Sequence, residues 1–147
     1  MEPSTTKVFS KILCPVDFEH SLDALDFSIT LAKQNDATLY VLNVAAIPMG
    51  AAELSSSADP EPFWEVTART RLELLAEEKL VSVTNHELMI RSGDAAVGIL
   101  QAAIDEGVDV IVMATHGRKG LSHFFVGSVA EQVVRESTCP VLTIRPA

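Results

Sequence analysis

The chain has 147 residues, of which 48% are hydrophobic and 21% charged, and its formal net charge is −9. This size and composition predict one globular domain over residues 1–147, and no apolar run reaches the ~18 residues of a membrane span. The acidic charge argues against nucleic-acid binding, because a phosphate backbone would be repelled over most of the surface. Residues 1–7 lack the apolar core of a signal peptide, so we expect a cytoplasmic protein without a membrane partner.

Strand and helix patterns alternate along the first half of the chain. The first strand is predicted over 8–16, and a second strand over 38–44 is almost wholly apolar, as in parallel sheets buried on both faces. Between them, apolar residues recur at helical spacing: Leu22, Leu25, Ile29 and Ala32. Small residues and prolines predict a loop over 45–62, and a helix follows over 63–79.

The second half continues the alternation. A strand over 84–91 is more polar than the others, which is typical of a sheet edge. Asp94 is predicted to cap the next helix, whose predicted buried stripe is Val97, Leu100, Ile104 and Val108. Strands over 110–114 and 141–144 flank a last helix that begins near Val126 with three inward residues, Val129, Ala130 and Val133. The pattern predicts an α/β fold: one five-stranded parallel sheet, doubly wound, with helices on both faces.

The glycine-rich segment 114–129, between the fourth strand and the last helix, carries the clearest functional signal. Glycine turns and a helix N-terminus offer backbone N–H groups to an anion such as phosphate. The candidate residues are His116, Gly117, Arg118, Lys119, Gly120, Gly127 and Ser128. The alternative interpretation is a strand-to-helix loop that needs glycines for its turns. Neither a Walker motif nor the three-glycine dinucleotide pattern is present.

In a sheet of this type, ligands bind beyond the carboxyl ends of the strands, where the winding direction reverses. Besides the glycine-rich segment, the candidate positions are 14–17, 44–46 and 91–93. Asp17 directly follows the first strand and could accept hydrogen bonds from a ribose or hold a metal, or instead cap a helix. Histidine and cysteine spacing gives no zinc site, and no nucleophile has an assignable base, so these residues do not support catalysis.

Together, several segments resemble a universal stress protein domain over about residues 7–145: Val16-Asp17, 109–117, 127–131 and 139–142. The nucleotide-binding branch of that family carries Gly-x-x-Gly, nine residues, then Gly-Ser/Thr. The nine-residue gap from Gly117 to Gly127 is intact here and Ser128 follows, whereas Ala114 stands in place of the first glycine. The resemblance implies a Rossmann-like sheet with strand order 3-2-1-4-5.

The same resemblance implies an ATP site with Mg²⁺ or Mn²⁺. Asp17 would lie near the ribose and Val44 would meet the adenine through its backbone, with Pro15 and Val16 also bordering the adenosine. The ribose and first phosphates would be lined by Met113, Ala114, His116 and Gly117. The outer phosphates would be held by Gly127, Ser128 and Val129, with Arg118 and Lys119 as secondary contacts.

The resemblance further implies a regulatory stress-response module that works as a homodimer and is not an enzyme. The dimer would form by pairing of the last strand with its symmetry mate, through Val141, Leu142, Thr143 and Ile144. Two alternatives stay open. One is a nucleotide-free dimer resembling universal stress protein A, to which Ala114 points; the other is a slow ATPase.

Overall fold

A computed structural model of the protein describes residues 8–54, 61–115 and 127–145. Its strands are β1 (Lys11–Pro15), β2 (Thr38–Ala45), β3 (His86–Ser92), β4 (Val110–Ala114) and β5 (Val141–Ile144). They form one parallel sheet in the order β3-β2-β1-β4-β5. The predicted fold class, the strand order implied by the resemblance and the edge position of β3 are therefore confirmed.

The helices are α1 (Leu22–Asn35), α2 (Ala51–Leu54), α3 (Phe63–Lys79), α4 (Ala95–Glu106) and α5 (Ser128–Glu136). The predicted bounds of α3 are confirmed. The prediction of a loop throughout 45–62 is wrong at α2, where Gly50 turns the chain with a φ of 77° and the Ala51 N–H donates to Pro48 O. The first strand is shorter than predicted, because the Asp109 carboxylate accepts the backbone N–H groups of Ser10 and Lys11.

Alternating strand residues build two core layers, one on each face of the sheet. The α1/α3 layer joins α1 and α3 to one set of strand side chains, including Ile12, Val41 and Val112. The α4/α5 layer joins α4 and α5 to the other set, including Leu13, Leu42, Ile111 and Met113. This double coverage explains why the central strands are continuously apolar.

Helix α4 packs on the sheet through small residues, which corrects the predicted stripe. Val97 and Ile104 are 57% and 60% exposed, and Leu100 is half-buried. The buried positions are instead Ala96, Ile99, Ala102 and Ala103, while Val108 is buried beyond the helix end. The three alanines let the helix axis approach the strands closely, so that of the larger residues only Ile99 is buried within the helix. Asp94 does cap the helix, because its carboxylate accepts the Val97 N–H at 2.9 Å.

Gly98 of α4 packs closely against Val44 of β2. A Cβ atom there would lie 2.8 and 2.9 Å from the two methyl carbons of Val44. Alanine favours a helix by about 1 kcal/mol over glycine, but overpacking costs roughly 1–3 kcal/mol. We therefore expect Gly98→Ala to lower the free energy of unfolding in urea by about 1 kcal/mol. Adding Val44→Ala should remove the clash, and a Gly98→Ala variant more stable than the parent would contradict the tight contact.

Candidate functional site

The winding of the sheet reverses at β1, which pairs with β2 on one side and with β4 on the other. In doubly wound sheets the crevice outside the carboxyl ends of such neighbouring strands is where ligands bind. Here those ends are Pro15 and Ala114. We call the space beyond them, together with the start of α5, the switch-point crevice.

Backbone hydrogen bonds fix the start of α5 beside the end of β4. The Gly127 N–H donates to Thr115 O at 2.6 Å, and the Thr115 N–H donates to Ile144 O at 3.0 Å. Gly127 is the N-cap of α5, and no side chain accepts a hydrogen bond from the N–H groups at this end of the helix. Ser128 follows as an exposed residue in the first turn. The first turn of this nine-residue helix therefore begins beside the carboxyl end of β4.

The residues after β1 form a tight turn around one carboxylate oxygen. Oδ1 of Asp17 accepts the backbone N–H groups of Glu19 and His20 at 3.0 and 2.8 Å, and the Ser21 hydroxyl at 3.1 Å. The N-cap position of α1 is Ser21, so the interpretation of Asp17 as the helix N-cap is wrong. Oδ2 lies 3.5 Å from Nδ1 of His20, and the Asp17 side chain is 44% exposed.

Two opposing effects act on the Asp17 carboxyl. Partial burial alone would raise its pKa, but the hydrogen bonds from His20, Glu19 and Ser21, together with the nearby imidazole, outweigh burial and lower the pKa below its ordinary value. The carboxylate is thus held ionised and oriented at the end of β1.

This lowered pKa has a consequence for acid stability. A carboxyl group whose pKa is lower in the folded state stabilises the fold above its unfolded pKa and loses that contribution as the pH falls through its folded value. We expect Asp17→Asn to be less stable than the parent near pH 7, with the difference shrinking as the pH falls below the ordinary carboxyl pKa and through the lowered pKa of the folded protein. Urea unfolding across this range measures it, and a difference that stays constant with pH would contradict the hydrogen-bonded turn.

The end of β2 is tied to both neighbouring strands. The Val16 N–H donates to Leu42 O, and the buried Asn43 amide donates to Val16 O, both at 2.8 Å. On the other side, the Gly93 N–H donates to Ala45 O at 2.9 Å. Asn43 was missed at the sequence level, although a single amide inside an apolar strand is itself a signal of a specific buried bond.

Side chains of α3 close the same edge at β3. The Trp64 indole Nε1 donates to the Ser92 hydroxyl at 3.1 Å, and that hydroxyl donates to Oε1 of Glu65 at 2.6 Å. Ser92 is the last residue of β3 and pairs with Ala45 in the sheet register. The first turn of α3 is therefore anchored at the carboxyl end of the sheet.

The structure brings part of the predicted site together. Pro15, Asp17, Ala114, Gly127 and Ser128 follow or end the strands and helix that border the switch-point crevice. The side chains of Val16 and Met113 are buried in the two core layers, and those of Val44 and Val129 pack partly against the α4/α5 layer. The predicted residues that lie outside the described ranges are His116, Gly117, Arg118, Lys119 and Gly120.

Two features are absent from residues 8–54, 61–115 and 127–145. Within these ranges, no three histidine, cysteine or acidic side chains group as metal ligands would. In the same part of the chain, none of the helices has the length and apolar character needed to cross a bilayer.

Comparisons with known structures agree with this architecture. The Methanocaldococcus jannaschii protein MJ0577 superposes with a TM-score of 0.68 at 26% identity, over 95% of this chain and 98% of that one. A universal stress protein in complex with cAMP has a TM-score of 0.67 at 20% identity, over 93% and 97% of the two chains. One from Archaeoglobus fulgidus in complex with dAMP has 0.65 at 18%, over 93% and 98%.

Sequence comparisons identify the family. The chain is 34% identical to universal stress protein MJ0531 of Methanocaldococcus jannaschii, over 94% of this chain and 83% of that protein. It is 33% identical to universal stress protein YxiE of Bacillus subtilis, over 94% of this chain and all of that protein. A model of the universal stress protein family matches residues 9–145. The chain therefore belongs to the universal stress protein family.

Proposed function

We propose that this chain is a cytoplasmic ATP-binding stress-response module, with ATP and Mg²⁺ or Mn²⁺ held in the switch-point crevice. The observation that carries the proposal is the 2.6 Å hydrogen bond from the Gly127 N–H to Thr115 O, which fixes the start of α5 at the end of β4. A helix start in this position presents free N–H groups and the positive end of its dipole to phosphate. The oriented Asp17 carboxylate at the end of β1 supplies an acceptor for sugar hydroxyls.

The proposed roles follow the strands. Oδ2 of Asp17 accepts from the ribose, and the backbones of Val16 and Val44 border the adenine. The phosphates lie on the first turn of α5, with the Ser128 hydroxyl as a further donor. Contacts from 113–120 complete the proposed site, including the backbone of Met113 and the glycines of the family motif.

Ala114 is compatible with this proposal. It is half-buried and packs against the α1/α3 layer, so its methyl group has contacts within the core. Because the Ala114 methyl group is directed into the core, the Ala114 backbone can still approach a ligand. The nucleotide-free alternative nevertheless rests on this same residue, and the extraction experiment below separates the two.

The donor set also fits a nucleotide-bound divalent cation. Mg²⁺ prefers oxygen ligands and commonly keeps several waters, with one or two carboxylates and the substrate phosphates completing its shell. The Ser128 hydroxyl, in the first turn of α5 where the phosphates are proposed to lie, is an oxygen donor at the crevice. The cation, when bound, would neutralise phosphate charge in a protein whose net charge is −9.

The known complexes support the ligand class. The two universal stress proteins solved with cAMP and with dAMP share the fold of this chain. Both ligands contain adenine and a single phosphate, so they support an adenine nucleotide in this architecture. The triphosphate is our inference from the intact Gly117 to Gly127-Ser128 spacing.

Nucleotide extraction tests the proposed function directly. Acid extracts of the purified protein are expected to contain adenine nucleotide by mass spectrometry, and calorimetry should detect binding of added ATP with Mg²⁺. Repeating the titration with EDTA measures the contribution of the cation, and GTP serves as the base control. A nucleotide-free extract combined with no ATP binding would reject the proposal in favour of the nucleotide-free dimer.

The exposed edge of the sheet supports the proposed homodimer. Strand β5 forms one edge of the sheet, and its residues Leu142 and Thr143 are exposed. Pairing of Val141, Leu142, Thr143 and Ile144 with the same strand of a second copy would cover this edge. Sedimentation of the parent and of Leu142→Lys measures the assembly, and a monomeric parent would contradict the proposed homodimer.

Hydrolysis of ATP by this protein is expected to be slow or absent.

A further inference from the structure

The turn that follows β1 contains an energetically unfavourable backbone conformation. Phe18 has a φ of 71°, in the left-handed region that favours glycine. Among the described non-glycine residues, only Phe18 and Asp36 have a positive φ, and Asp36 is the C-cap of α1, where this conformation is common. Phe18 ends no helix. A bulky residue in this conformation persists only where its surroundings hold it there.

Contacts on two sides hold Phe18. Its half-buried ring packs against the α1/α3 layer, and the guanidinium carbon of Arg71 lies 4.4 Å from the ring centre. Arg71 belongs to α3, so this cation–π contact connects the helix to the β1–α1 turn. On the other side, Oδ1 of Asp17 accepts the N–H groups of Glu19 and His20, the two residues that follow Phe18.

These contacts are geometrically coupled. The torsions of Phe18 decide where the N–H groups of Glu19 and His20 point, because the two peptides follow that residue directly. If Phe18 left the left-handed region, both N–H groups would move away from Oδ1, and the carboxylate would lose its orientation. Among the described residues Oδ2 accepts no hydrogen bond, so the orientation of Asp17 decides where this oxygen is presented.

We propose that Arg71 is a positioning residue that acts through Phe18 on the Asp17 carboxylate, and that it thereby sets a preference for ribose over 2′-deoxyribose. The sugar preference rests on the function proposed above. The positioning of the carboxylate is a property of the protein without ligand and can be measured separately.

Four variants separate positioning from simple charge. Arg71→Gln removes the cation, and Phe18→Leu removes the aromatic face while keeping Arg71 and an apolar side chain. Arg69→Gln is the matched control, because it removes the same charge from the same helix at a residue that pairs with Glu61. Arg71→Lys keeps a cation that can rest on the ring and should restore most of the parent behaviour. Thermal unfolding checks that each variant is folded.

The first measurement is an NMR titration of the Asp17 carboxyl carbon in the ligand-free protein. Both Arg71→Gln and Phe18→Leu are expected to raise the Asp17 pKa toward its ordinary value, and Arg69→Gln to leave it in place. The carboxylates of Asp17 and Glu19 both lie near Nδ1 of His20, so the His20 ring is followed in the same spectra. An Asp17 pKa that changes in Arg71→Gln but not in Phe18→Leu reports charge alone and overturns the positioning role.

The second measurement compares ATP with 2′-dATP by calorimetry. The parent is expected to prefer ATP by about tenfold, the size of one hydrogen bond to a charged group. Arg71→Gln and Phe18→Leu should each reduce this ratio about two- to fivefold, the range of one exposed cation–π contact, chiefly by weakening ATP. If the ratio of ATP affinity to 2′-dATP affinity stays unchanged in these variants, including when both affinities fall equally, the proposal is overturned. If the parent binds no adenine nucleotide, the sugar preference falls with the proposed function, and the titration decides the positioning role.

Discussion

Replacing Gly127 by valine is expected to weaken ATP binding by about 100-fold or more, since two hydrogen bonds to charged phosphate oxygens would be lost. The proposed phosphate position adjoins the N-cap of α5, where valine would add three carbon atoms. The fold should tolerate the change, because Gly127 has φ −59° and ψ 155°, which any residue adopts. Calorimetry with ATP and Mg²⁺ measures the binding, and urea unfolding measures the stability.

Gly107 offers a control with the opposite expected behaviour. It is the C-cap of α4 with a φ of 63°, and a Cβ there would meet no atom within 4 Å. Gly107→Ala should therefore lower the free energy of unfolding by about 1 kcal/mol through backbone strain alone. Its ATP affinity should equal that of the parent. A Gly127→Val variant that binds ATP normally would remove the start of α5 from the proposed site.

Replacing Asn43 by alanine is expected to lower the free energy of unfolding by about 2–3 kcal/mol, the cost of a buried acceptor left unpaired together with a small cavity. Asn43 and Val16 are both buried, with 8% and 5% of their surfaces exposed. The Asn43 side-chain amide donates to the Val16 carbonyl oxygen. Loss of this bond leaves the Val16 carbonyl without its side-chain donor and loosens the chain between β1 and Asp17. Urea unfolding measures the difference.

Ser28 is the matched control for Asn43, because it is also buried and polar. Its hydroxyl donates to Ala24 O within α1, four residues earlier. We expect Ser28→Ala to change stability by less than about 0.5 kcal/mol, because its bond to Ala24 is local to the helix, its contact with the Cys14 thiol is weak and alanine is the better helix former. Equal losses in the two variants would show that burial alone, and not the bond between strands, explains the effect.

The sequence predicts best where periodicity and burial agree. The bounds of α3 and the Asp94 cap follow from local patterns, and the apolar strands required a parallel sheet covered on both faces. The buried face of α4 was predicted wrongly, because the helix is apolar on more than one side. Close packing of Gly98 on Val44 selects the small-residue face, and such a choice depends on the neighbouring strand.

The candidate site was only partly predictable for a similar reason. Asp17 was identified from its place after a strand, and its competing interpretation as a helix cap came from the same local spacing. Its actual role in the turn depends on Phe18 adopting a positive φ, which no propensity would assign to an aromatic residue. The alternation of strands and helices does not predict that β1 lies beside β4; the family resemblance implies it.

Trp64, whose indole donates to Ser92, gives the protein an intrinsic fluorescent probe. Trp64 is the single tryptophan of the chain, so its emission reports one location without any label. That location is the start of α3 at the end of β3, and β2 separates it from β1 in the sheet. An emission shift on ligand addition would show that the response reaches the first turn of the helix that carries Arg71, while constant emission would place the response elsewhere.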